Sequence, residues 1–191
     1  MTARILGFAG SIRAASVNRA MAKAALDGAA AAGAEVTWLE LADYQLPLYN
    51  GDLEANDGLP ANVLALKDIF DAHDGFVIGC PEYNSSISPL LKNTIDWVSR
   101  PMEGRPPLHA FTGKVGGIVS GSGGPLGGLR GLVHVRSILG NIGVTMVPQQ
   151  RAVGGAPGKI EDGVVTDEEA RKSLELVGQS VARLAGAMKA G

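Results

Sequence analysis

The sequence predicts one domain built on an open, five-stranded parallel α/β sheet with helices on both faces. Five short apolar runs alternate with five helix-like segments along the chain, the pattern that places parallel strands beneath covering helices. The runs are near-continuous in apolar residues rather than alternating, as expected of strands covered on both faces. The length of 191 residues corresponds to roughly one domain and lets the fold bury about 70% of the unfolded surface.

Residues 4–9 form the first strand, a short apolar run bounded by Gly10-Ser11. Residues 16–33 follow as an amphipathic helix, with Val17, Ala20, Met21, Ala24 and Ala25 on one face and Ser16 as its cap. Residues 35–41 read as the second strand. Pro47, Asn50-Gly51, Asp57-Gly58 and Pro60 make residues 43–60 a long turn-rich segment. Residues 61–72 read as a helix, and 75–80 as a third, wholly apolar strand ended by Pro81. Pro89 suits the first position of a helix over 89–99, which aligns Leu90, Leu91, Thr94, Ile95 and Val98. Residues 100–112 form a proline-containing loop. Then come a fourth strand (114–120), a helix (127–140) and a fifth strand (144–147). A Gly-rich connection covers 151–165. Thr166-Asp167-Glu168-Glu169 reads as a capping box before a last helix that turns Ala170, Leu174, Val177, Val181 and Leu184 inward.

Composition excludes several classes. Seventeen Lys+Arg against nineteen Asp+Glu give a net charge of −2, which argues against a nucleic-acid binder driven by bulk charge. One cysteine, Cys80, allows no internal disulfide and no cysteine-based metal cluster, and reads as a small core residue. His73, His109 and His134 share no ligand spacing, and Glu161-Asp162-Gly163 lacks the alternating acids of a calcium loop. No apolar run reaches the ~18 residues of a membrane span. The chain enters a strand pattern directly after its first residues, so no signal peptide is expected and the cytoplasm is the expected compartment.

Ligands of such sheets bind beyond the C-terminal strand ends, which directs attention to three loops. The first, Gly10-Ser11-Ile12-Arg13-Ala14-Ala15-Ser16-Val17-Asn18, leads from a strand into a helix N-terminus, where free N–H groups and the helix dipole favour an anion. Ser11, Ser16 and Asn18 add donors, and Arg13 adds a charge suited to phosphate. A capped turn with a surface arginine is the competing reading. The second, Cys80-Pro81-Glu82-Tyr83-Asn84-Ser85-Ser86-Ile87-Ser88-Pro89, offers backbone groups to the edge of a planar heterocycle, with Tyr83 beside it; a purely structural turn competes. The third, Ser120-Gly121-Ser122-Gly123-Gly124-Pro125-Leu126-Gly127-Gly128, lets a ligand approach bare backbone.

These motifs together resemble the NADPH-dependent FMN reductase family, flavodoxin-like flavoproteins that include quinone, chromate and azo-dye reductases. Gly-Ser-x-Arg-x-x-Ser-x-Asn is matched at Gly10, Ser11, Arg13, Ser16 and Asn18. Pro-Glu-Tyr-Asn is matched at Pro81 to Asn84, and Leu-Lys-Asn-x-Ile-Asp-Trp at Leu91 to Trp97, extended by Ser99-Arg100. The third loop with Gly127-Gly128-Leu129-Arg130 also fits. The chain departs from many members in carrying Ser85 where they have Gly, and Ser88-Pro89 where they have Pro-Gly.

The resemblance implies a single flavodoxin-like domain over residues 1–191 with strand order 2-1-3-4-5. It implies that Ser11, Arg13, Ser16, Val17 and Asn18 hold an FMN phosphate. Pro81, Glu82, Tyr83 and Asn84 would hold the isoalloxazine edge, largely through backbone, with Ser120 near the ring or ribityl chain. No protein residue is expected to be catalytic and no metal is expected, because the flavin carries the chemistry. The implied reaction passes hydride from NADPH or NADH to bound FMN and then, in a ping-pong sequence, to a quinone, flavin, chromate or azo compound. Neither a nucleic acid nor a membrane is an expected partner, and a homodimer or homotetramer is. Trp97 reads either as a subunit contact or as a core aromatic. A flavodoxin-like FMN electron carrier that does not itself oxidise NAD(P)H is the alternative, and a non-redox binder of phosphate ligands is a further one.

Overall fold

The computed structural model describes residues 2–190. Its elements are β1 (Arg4–Ala9), α1 (Val17–Ala31), β2 (Glu35–Trp38), α2 (Gly51–Asp57), α3 (Ala61–Asp71), β3 (Gly75–Gly79), β4 (Glu82–Tyr83), β5 (Ser86–Ile87), α4 (Pro89–Val98), β6 (Val115–Gly121), α5 (Leu129–Asn141), β7 (Thr145–Val153), β8 (Ile160–Glu161), β9 (Val164–Val165) and α6 (Glu168–Ala190). The main sheet is parallel, in the order β2-β1-β3-β6-β7. Counting only these five strands, that is the expected 2-1-3-4-5. The order reverses between β1 and β3, so a crevice opens beyond their C-terminal ends.

Side chains alternate across the central strands, as a two-residue period requires. Ile5, Val77, Val115 and Val119 face α1 and α6, while Leu6, Phe8, Phe76, Phe111 and Ile118 join the core beneath α3, α4 and α5. All four phenylalanines (Phe8, Phe70, Phe76 and Phe111) interlock in this second core at centroid separations of 5.0–6.4 Å. On the first face α1 and α6 meet backbone to backbone. A Cβ on Gly178 would run into the Ala25 carbonyl, and one on Gly28 into Glu175.

The structure differs from the sequence reading in several places, among them a β4–β5 hairpin within the second loop and a second strand that ends at Trp38 rather than residue 41. Within 43–60, α2 forms over Gly51–Asp57, started by Asn50 Oδ1 accepting the Asp52 N–H at 2.9 Å and stopped by Gly58 at φ 76°. The fifth strand runs on to Val153 because Pro148 lies where the β6–β7 register slips, on an outer strand where the ladder tolerates a missing donor. Residues 160–165 form a small β8–β9 hairpin about Asp162-Gly163, whose φ values of 47° and 78° suit a two-residue turn of type I′. The cap of α6 is Asp167, whose Oδ1 accepts the Ala170 N–H at 2.8 Å, so Thr166 and Glu169 form no capping box. Lastly, β2 is an outer strand, exposed along Glu35–Thr37 rather than covered on both sides.

Candidate functional site

Tight side-chain-to-backbone ties join the three loops. Asn18 Nδ2 donates to the Gly121 carbonyl at 3.1 Å, and its Oδ1 accepts the Gly121 N–H at 3.0 Å. Ser88 Oγ donates to the Gly10 carbonyl at 2.8 Å and caps α4 by accepting the Leu91 N–H at 3.3 Å. Ser120 Oγ donates to the Cys80 carbonyl at 2.6 Å. The first, second and third loops are thereby fixed to one another where β1, β3 and β6 end.

Between them lies a cleft of about 380 Å³, lined by Ser11, Arg13, Ser16, Val17, Asn18, Pro81, Glu82 and Tyr83 together with Gly121–Gly123 and Pro157. Eight of the ten expected site residues therefore share one cavity. Asn84 and Ser120 do not line it. Asn84 stands at the tip of the β4–β5 hairpin. Ser120 is fully buried, its hydroxyl is committed to Cys80, and it packs so closely under Gly128 that a Cβ there would strike it. The Ser120 hydroxyl, committed to Cys80, positions the third loop. Asn18 is likewise bound to Gly121 through both ends of its amide rather than offered freely to a ligand.

The two serines of the first loop are better placed as donors. Ser11 Oγ accepts the Arg13 N–H, and Ser16 Oγ, as the cap of α1, accepts the Arg19 N–H, each at 3.3 Å. Each hydroxyl keeps its own proton to donate. Among the described residues, the N–H groups of Val17 and Asn18 at the start of α1 find no acceptor, as the first turn of a helix dictates. Arg13 is exposed and has no ion-pair partner among the described residues. This end of the cleft is rich in donors and positively charged.

The opposite wall is the β4–β5 hairpin. Its two-residue turn places Asn84 at φ 50° and Ser85 at φ 67°, a type I′ geometry in which glycine is favoured at the second position. Ser85, at that second position, therefore occupies a strained left-handed conformation. The other departure is accommodated: Ser88-Pro89 gives α4 an N-cap and a proline at its first position.

The Glu82 carboxylate has a role that the sequence reading did not give it. It accepts Arg130 Nε and Nη2 at 3.1 and 2.7 Å, and the Gly131 N–H at 2.9 Å. α5 begins at Gly128 without a side-chain cap of its own, and Glu82 supplies the missing acceptor from another element. Burial disfavours its charge, but the Gly131 N–H and the Arg130 guanidinium outweigh that and hold its pKa below the usual glutamate value. It is a clasp between hairpin and helix, not a base. Ser86 Oγ and His134 Nδ1, 2.8 Å apart, make a second tie between the same two elements.

The remaining singletons are structural. Burial pushes the Cys80 thiol pKa up, and its Sγ lies 3.4 Å from the Ile78 carbonyl. His73, His109 and His134 sit separately against Ile69, Asp71 and Ser86. Trp97 is fully buried and its Nε1 donates to the Pro47 carbonyl at 2.8 Å, so of its two readings the core aromatic holds. Asn93 joins it, accepting the Tyr49 N–H at 2.8 Å and donating to Pro47 at 2.9 Å. The Leu91–Trp97 motif thus clasps the loop before α2. Arg100 is held by Glu54 at 2.8 Å and Arg105 lies 3.3 Å from Asp71, which leaves Arg130 as the one of these three arginines tied to a cleft residue.

The chain matches the NADPH-dependent FMN reductase family over residues 3–158. It is 34% identical over 180 residues to an NAD(P)H:quinone oxidoreductase of Solanum tuberosum, covering 91% of this chain and 88% of that protein. It is 36% identical over 157 residues to a quinone reductase of Escherichia coli, covering 80% and 77%. Among solved structures it superposes on FerB, a flavoenzyme NAD(P)H:(acceptor) oxidoreductase from Paracoccus denitrificans, with a TM-score of 0.80 and 28% identity over 98% of this chain and 99% of that one. An archaeal flavodoxin shares the fold alone, with a TM-score of 0.62 and 11% identity over 96% and 99% of the two chains. The match across the phosphate-type loop, the hairpin and the Gly-rich loop places this chain in the NADPH-dependent FMN reductase family.

Proposed function

We propose that the protein is an NAD(P)H-dependent, FMN-containing reductase of quinones or similar small acceptors, acting as one catalytic domain over residues 1–191. One observation carries the reading. A cleft at the sheet's switch point has two serine hydroxyls at one end, with N–H groups and an arginine that have no partner among the described residues, and a hairpin along its side. The residues present fit FMN. The donor-rich, positively charged end matches a terminal phosphate, and Gly123 leaves bare backbone, with no atom within 4 Å of where a Cβ would stand.

In this reading Ser11, Arg13, Ser16 and the N–H groups of Val17 and Asn18 hold the phosphate, while Asn18 also fixes the Gly121 backbone. Pro81, Glu82, Tyr83 and Asn84 present backbone to the isoalloxazine edge, and Glu82 keeps that hairpin on α5. Ser120 orders the third loop. Tyr83, 49% exposed at the cleft, supplies an apolar wall that displaces water from a planar ligand. FMN held by these residues would supply the redox chemistry between the nicotinamide cofactor and the acceptor, the two substrates using the site in turn.

Leu48 is 82% exposed yet rigidly held by the Asn93–Trp97 clasp, and Leu126, Leu129 and Val133 are exposed about the start of α5. These surfaces support a homodimer or homotetramer, and a cytoplasmic setting suits the cofactors. Among the described residues no helix is long and apolar enough to cross a membrane.

The test is an anaerobic visible spectrum of the FMN-loaded protein before and after NADPH, and again after benzoquinone. Prompt bleaching followed by recovery is expected. A flavin bleached by dithionite but untouched by NADPH or NADH would instead assign the chain as an electron carrier.

A further inference from the structure

One peptide plane at the start of the first loop is held from outside that loop. The Gly10 N–H donates to the Gly79 carbonyl at 2.8 Å, tying the end of β1 to the end of β3. The Gly10 carbonyl accepts the Ser88 hydroxyl, also at 2.8 Å. Ser88 is only 1% exposed, so water does not compete for this bond. Both backbone groups of Gly10 are therefore committed before the loop begins.

A planar trans peptide points its C=O and its N–H in opposite directions. The Gly10 carbonyl and the Ser11 N–H belong to the same plane. With the carbonyl turned toward Ser88 at the start of α4, the Ser11 N–H turns the other way. It finds no acceptor among the described residues, although Ser11 is only 8% exposed and lines the cleft. A buried backbone donor is normally satisfied.

Nothing in Gly10 itself imposes this direction. Glycine lets the following peptide take either orientation at little cost, and the flipped plane would present a carbonyl where the donor now stands. Close packing against α4 nevertheless requires the glycine, since a Cβ there would come within 2.7 Å of Leu91 Cβ and 3.0 Å of Ser88 Oγ. The direction is thus left to Ser88. Its oxygen accepts the Leu91 N–H at 3.3 Å as the N-cap of α4, and its proton goes to Gly10, 78 positions upstream.

We infer that Ser88 is a positioning residue of the phosphate end of the cleft. By fixing the Gly10 carbonyl it aims the Ser11 N–H at a bound phosphate monoester, adding a backbone donor to those at the start of α1. The inference rests on the flavin reading of the cleft.

The experiment is calorimetric titration of flavin-free protein with FMN and with riboflavin, which lacks the phosphate, for the parent, Ser88→Ala and Ser88→Gly. Glycine is nearly as good an N-cap as serine, so Ser88→Gly keeps the start of α4 and removes the proton given to Gly10. FMN affinity should fall by about tenfold in both variants, because a hydrogen bond to a charged oxygen is lost, while riboflavin affinity is unchanged. A Ser88 that only supports the fold would weaken both flavins alike or neither, and either result overturns the inference. Amide NMR of the parent gives an independent reading. The Ser11 N–H resonance should move downfield with FMN and not with riboflavin, and a Ser11 resonance indifferent to the phosphate overturns the inference however the variants behave. A parent protein that binds FMN no tighter than riboflavin overturns the phosphate reading of the cleft and this inference with it.

Discussion

Replacing Glu82 by Ala should cost both stability and flavin affinity. The substitution strips the Gly131 N–H and the Arg130 guanidinium of their shared acceptor. The Glu82 side chain is only 9% exposed, whereas Arg130 is 57% exposed. A backbone N–H bonded to a carboxylate contributes about 1.5–3 kcal/mol, and a solvent-screened ion pair adds about 0.2–1 kcal/mol. The combined loss is about 1.7–4 kcal/mol, which lowers Tm by roughly 3–16 °C in a chain of this size. Glu82→Gln keeps one acceptor and should lose about half as much. Because the same hairpin carries Tyr83, FMN affinity should fall in parallel. The pH dependence follows from the depressed pKa. The folded state binds fewer protons than the unfolded one, so the stabilisation is complete above the usual glutamate value of 4.5 and is lost as pH falls through the lower folded value. Urea unfolding of the parent and both variants between pH 3 and 7 tests this. A Glu82→Ala protein within about 0.5 kcal/mol of the parent at pH 7, with an unchanged acid profile, would refute the clasp.

Arg13→Ala should raise the FMN dissociation constant by about tenfold or more, since a charge-assisted bond to phosphate is removed; unchanged affinity in a fluorescence titration would remove Arg13 from the phosphate site. Ser85→Gly should stabilise the protein by about 0.5–1 kcal/mol by relieving the left-handed backbone of the hairpin turn, and a thermal melt that shows no gain would count against strain there. Gly178→Ala should destabilise by about 1–3 kcal/mol or more, because a methyl cannot enter the α1–α6 contact without parting the helices; near-parental urea stability would mean that the helices separate freely.

Much of the architecture was legible because it follows from local periodicity. The apolar runs at β1, β3 and β6 and the helical faces of α1, α4 and α6 need no long-range information, and the three ordered motifs pointed to loops that converge. Where reading failed, the cause was a competing local signal or an outer position. Turn residues hid α2, although Asn50 was available as its cap. Pro148 masked the second half of β7, which an outer strand tolerates. The Asp162-Gly163 pair was a hairpin signal, yet hairpins this short depend on what they pack against.

The sequence by itself determined the order of elements, the donor chemistry of the first loop and the family. Periodicity, capping and side-chain type are properties of neighbouring residues. Only the tertiary structure decided which of the polar residues are free to meet a ligand. Asn18 and Ser120 both looked available in sequence, but their partners lie 103 and 40 positions away. Glu82 caps a helix 49 positions downstream. A cavity beside α1 exists only because the β8–β9 hairpin, more than 120 positions downstream, folds over that helix. Hydrogen-bond commitment and concavity are set by contacts between distant segments, and no local pattern records them.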